Sequence, residues 1–98
     1  MLSVSEQTSL VEKVENLNPR RVLSSTEGKE VPLVKQQLQG YIQNIRVTVL
    51  GEIAILDEYL MYTKDEDTAL QIKGIINRLS LLINKLDKDE SYVNSFIV

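Results

Sequence analysis

Residues 32–62 read PLVKQQLQGYIQNIRVTVLGEIAILDEYLMY, and the folding of that stretch decides the architecture of the chain. At helical spacing Leu38, Ile42, Ile45, Val49, Ile53, Leu56 and Leu60 advance by fours and threes along one seam. A second row, Val34, Tyr41, Thr48, Ile55 and Tyr62, keeps a seven-residue step. A third, light row holds Gly40, Asn44, Val47, Gly51 and Ala54. Between Val47 and Tyr62 the helix is then apolar on nearly every side, the pattern of a helix buried against several neighbours. Pro32 fits its first turn, where no N–H is needed. A glycine costs about 1 kcal/mol relative to alanine inside a helix. Gly40 and Gly51 therefore imply close approach of another helix, or a local kink.

A β-hairpin competes for the middle of this stretch. In IRVTVL-GE-IAIL, β-branched residues alternate up to a Gly-X pair and a second apolar run follows, as in a two-residue type II′ hairpin. Runs this short do not separate strand from helix by periodicity alone. The helix is favoured because the seam continues in phase on both sides, and because an isolated hairpin is only marginally stable.

Downstream, Thr63–Glu66 has the form of a capping box, and Asp65, Glu66 and Asp67 place negative charge on a first helical turn. A heptad pattern follows through Ile72, Ile76, Leu79, Ile83 and Leu86, then Val93 and Ile97 after a gap at Glu90. Ile75 and Leu82 widen that seam. The charged run Asp87–Glu90 reads as a break or bend, making 88–98 a short terminal helix. The short link at residue 63 implies an antiparallel helical hairpin, about 32–62 against 64–87 or 64–97.

Upstream, Ser3 and Glu6 form another capping box, and a helix over Val4–Leu17 carries Leu10, Val14 and Leu17 on one face beside Val4 and Val11. Asn18-Pro19 ends it and suits the start of one further short turn through Leu23. Residues 18–31 read as a connecting loop, with SSTEGKE (24–30) a solvated connector. The expected fold is all-α: one domain over 1–98, a hairpin with an N-terminal helix packed across it, completed to a bundle by self-association.

Composition narrows the function. Ninety-eight residues, 43% hydrophobic, make one core. The net charge of −3 falls evenly, −1 in each of residues 1–30, 31–62 and 63–98. No basic stripe exists, so nucleic-acid binding by phosphate neutralisation is disfavoured. Cysteine, histidine and tryptophan are absent, which removes the disulfide framework, the usual zinc ligands and the usual general base. Neither acidic run has the spacing of a calcium loop. Asp57 and Glu58 are adjacent on a helix and point about 100° apart, so they do not face each other as an acid–base pair. No catalytic, cofactor or metal residue is assigned. No run approaches the ~20 apolar residues of a membrane span, and the N-terminus lacks a signal-peptide layout. A cytoplasmic chain is expected, or one in a host cytoplasm if viral.

A helix apolar on most sides needs more cover than one hairpin partner and one short helix provide. The expected function is accordingly a non-enzymatic helical protein–protein interaction subunit: an adaptor, scaffold or assembly factor whose partner is itself, another protein, or both. The interaction residues are Gly40, Tyr41, Val47, Gly51, Ile55 and Tyr62, tyrosine being favoured at interfaces. EVPLVKQQLQGYI (30–42) followed by the TKDED helix start (63–67) is similar to the helical bacteriocin-immunity proteins, whose chain length is also comparable. That similarity spans a minority of the chain, carries over no residue, and implies the alternative function of a small cytosolic inhibitor that blocks one target. A third alternative is a nucleic-acid-associated regulator, which the hairpin reading of residues 45–56 would supply with a wing.

Overall fold

The computed structural model describes residues 1–97, and the regular secondary structure among them is all helical. Helix α1 spans Val4–Asn16, α2 Pro19–Ser24, α3 Val31–Tyr62 and α4 Glu66–Ser95, with a 3₁₀ turn at Gly28–Glu30. The molecule is a rod, 56 × 20 × 16 Å. Helices α3 and α4 are the antiparallel hairpin, and α1 lies in the groove along one of its faces.

Helix α3 passes straight through the candidate hairpin turn. Gly51 is helical, and no residue among those described has a positive φ. The seam differs from expectation at Ile53 and at Leu60, both of which are half-buried rather than buried. The buried positions of α3 are Val31, Leu38, Ile42, Ile45, Val49, Glu52 and Leu56, so Glu52 stands where Ile53 was expected. Two long antiparallel helices coil about each other, and the contact period falls from 3.6 to 3.5 residues. The seam therefore steps from Val49 by three to Glu52, and Ile53 is turned half out of the core. Helix α4 answers with Ile72, Leu79, Leu82, Leu86 and Val93, whereas Ile76 and Ile83, expected in that seam, are half-buried on its flank.

The termini follow their chemistry. Ser3 and Glu6 form the expected reciprocal cap of α1. Asn18 caps α2, with Pro19 in its first turn. Most of segment 18–31 is thus helical rather than a loop, because the buried Pro19 and Leu23 anchor it to the hairpin. At the hairpin tip the cap is Asp65, not Thr63. Asp65 Oδ2 accepts from the Thr68 N–H at 3.1 Å and from the Thr68 hydroxyl at 2.6 Å. The Thr63 hydroxyl instead donates back to the Tyr59 carbonyl at 2.7 Å, closing α3. Helix α4 accordingly begins at Glu66.

Asp87–Glu90 does not interrupt α4. Arg46 of α3 donates to Asp87 and to Glu90, each at 2.8 Å, and Lys85 pairs with Asp89 at 2.7 Å. The run that looked like a bend is thereby neutralised on a continuous helix. Lys35 donates to the Asn94 and Phe96 carbonyls and satisfies the end of α4. The expected seam position Ile97 lies beyond that end, exposed, and Val98 lies outside the described residues.

Candidate functional site: two uncovered apolar faces of the hairpin

Helix α1 covers only part of its groove. The Leu2 N–H donates to Glu52 Oε2 at 2.8 Å, which places the start of α1 level with Glu52. From there α1 runs antiparallel to α3, with Leu2, Ser9 and Lys13 around Thr48, and Asn16 and Leu17 near Leu38 and Tyr41. Past Glu52 the groove continues without α1. Its α3 wall there is Ile55, Tyr59 and Tyr62, which with Glu58 line an open hollow of about 330 Å³. Tyr62 is 75% exposed. On α4, Asp67 extends the row Gln71, Gly74 and Arg78 that borders α1. Leu56 and Ile72 are buried in the seam beneath.

Among the described residues no third helix covers the opposite face of the hairpin. Its proximal end is clasped by polar bonds, Gln39 to Asn94 and Arg46 to Asp87 and Glu90. Its middle is apolar: Leu50 is exposed on α3, and Ile53, Ile76 and Ile83 are half-buried, while Val47 and Met61 stand on the outer edge of α3. Val47 is 59% exposed and Met61, farther along, 79%.

The six interaction residues expected from the sequence are therefore not one patch. Tyr41, Ile55 and Tyr62 share the α1 side, Tyr41 against the end of α1 and the other two beyond its start. Gly40, Val47 and Gly51 point outward, away from α1 and α4 alike. A Cβ on either glycine would meet nothing within 4 Å, so neither is needed for a close approach inside the chain. Leu50, Ile53, Ile76 and Tyr59 were missed as site residues. Their signal is present in the sequence, but the face each one joins depends on the 3.5-residue seam and on where α1 stops.

Electrostatics separate the two faces. Residues 53–73, the arm beyond α1, hold Asp57, Glu58, Asp65, Glu66 and Asp67 against Lys64 and Lys73, a net −3. The remaining residues carry nine acidic and nine basic side chains. Charge that is even along the sequence is thus collected at one end by the fold. The ion pairs among the described residues, Glu27–Lys29, Arg46–Asp87, Arg46–Glu90 and Lys85–Asp89, all lie outside the arm. The Thr68 hydroxyl, then its N–H, hold the Asp65 carboxyl below the usual range, and the Ser3 N–H and hydroxyl do the same for Glu6.

Glu52 is the one buried charged side chain among the described residues, 3% exposed. Its Oε2 ties down the start of α1, while Oε1 has no partner. It reads as a latch. Asp57 and Glu58 are both exposed and diverge. Among the described residues no group of three or more Asp, Glu, His or Cys is placed to hold a metal ion. No helix among them is long and apolar enough to cross a membrane. Compared with family models, with curated proteins and with solved structures, the chain matches none of them.

Proposed function

We propose that the protein is a non-enzymatic helical interaction subunit, of adaptor, scaffold or assembly-factor type, that pairs with a second copy of itself through the hairpin face opposite α1. The observation that carries this reading is the incompletely covered apolar middle of that face, with Leu50 exposed and Ile53 and Ile76 half-buried. Two hairpins placed face to face would bury these side chains in a four-helix core, with α1 of each copy on the outside. A cytoplasmic setting accompanies this proposal.

Light scattering at tens of micromolar tests it. The expected mass is twice the 11.2 kDa of one chain. Leu50→Glu should reduce the mass to one chain while leaving helicity intact, because Leu50 is already exposed in the single chain. A monomeric wild type would overturn the self-pairing. Collection of the net charge on the distal arm supports a second reading, a small inhibitor that binds one target by that end.

A further inference from the structure

Resting on that interaction reading, we propose that the distal groove of Ile55, Tyr59 and Tyr62 receives a basic amphipathic helix from another protein. The groove is already a helix-binding surface, since its proximal half is occupied by α1. A guest laid end to end with α1 would lie along the same side of α3, against the start of α4. The open length of α3, residues 53–62, is about 15 Å, or nearly three helical turns.

The chemistry of the guest follows from the walls. Its inner stripe must be apolar, to cover Ile55 and the faces of Tyr59 and Tyr62, aromatic groups that anchor well at interfaces. Its edges must be cationic. Glu58 lines the hollow, Asp67 continues the α4 wall, and the whole arm carries −3 with no ion pair among its described side chains. Lysine or arginine on both flanks of the guest would meet these carboxylates. The same charge disfavours a second copy here, because two −3 arms would be brought together, and it repels nucleic acid and anionic lipid.

The probe is a fluorescent designed helix of about 14 residues with leucine on one face and lysine on the other. A control peptide has the same leucine face and glutamate in place of lysine. Titration by anisotropy into the full chain at low salt should show saturable binding of the lysine peptide and at least about tenfold weaker binding of the glutamate peptide. The double variant Glu58→Lys, Asp67→Lys should weaken the lysine peptide by about tenfold or more, and Tyr59→Ala should weaken it comparably. Glu27→Lys, far from the arm, should leave it unchanged.

Circular dichroism of each variant should match the wild type, since all four positions are exposed. Equal binding of the two peptides, or lysine-peptide binding indifferent to the arm variants, would overturn the proposal, as would the absence of binding. Those results would leave self-pairing untouched, because the chain mass and Leu50→Glu test that face separately.

Discussion

The two halves of the hairpin are built from the same two helices and differ in what lies over them. In the proximal half α1 and α2 close the groove, and Ile42, Val49, Leu86 and Val93 are wholly buried. In the distal half no other described helix overlies the pair, and Tyr59, Met61, Tyr62 and Leu70 stand in solvent. The proximal half also holds the long-range polar clasps of Arg46, Lys35 and Lys85, while the distal half holds the unneutralised acids. Stability resides in one end, and unspent apolar surface with charge in the other. A region that contributes little to its own folding is free to be shaped by binding.

The largest effect should come from the proximal core. Ile42→Ala leaves a cavity among fully buried neighbours and should cost about 2–5 kcal/mol in urea unfolding, whereas Tyr62→Ala should change stability by less than about 0.5 kcal/mol. Equal losses would remove the distinction between the halves. Arg46→Ala comes next. It removes a forked, partly buried contact between α3 and α4, discounted because Asp87 and Glu90 reach solvent, and should cost about 1 kcal/mol. Faster amide exchange at residues 87–90 should accompany it.

Glu52→Leu tests the boundary. It replaces a buried carboxylate having one unpartnered oxygen with a side chain suited to the seam, so global stability should hold or rise by up to about 1 kcal/mol. The Leu2 amide, released from Glu52, should exchange faster. A large destabilisation would show that the latch holds more than the start of α1.

The smallest effect concerns the caps. The Glu6 and Asp65 carboxyls titrate lower in the fold than in the unfolded chain, so each supports its helix start above the unfolded pKa and loses that support as pH falls through the lower folded value. Below about pH 4 the amides of Ser3 and Thr68, which donate to the Glu6 and Asp65 carboxylates, should lose their hydrogen-bonded chemical shifts before the core unfolds. Unchanged shifts at pH 3 would contradict the capping.

Much of this arrangement was legible in the chain. The seam residues Leu38, Ile42, Ile45 and Val49 sit at helical spacing whatever their neighbours do, and Ser3 with Glu6 forms a local cap that needs no tertiary context. The failures were those of context. Ile53 gave way to Glu52 only because a long pair of helices supercoils. Asp87–Glu90 stayed helical because Arg46, forty-one residues before Asp87, neutralises it. Thr63 lost the cap to Asp65 because its hydroxyl closes α3 instead. The surplus of apolar surface on α3 was visible as composition, but its division between two faces depends on α1 stopping at Glu52. The charge asymmetry was invisible by thirds, since the tip of a hairpin joins the end of one third to the start of the next.

Amide hydrogen exchange along α3 is the most direct measurement of where that cover ends. Protection should be high from Leu38 to Glu52 and should fall by at least about tenfold from Ile53 to Tyr62, with the step at Glu52. Uniform protection through Tyr62, or a step displaced toward Leu38, would contradict a covered half and a bare one.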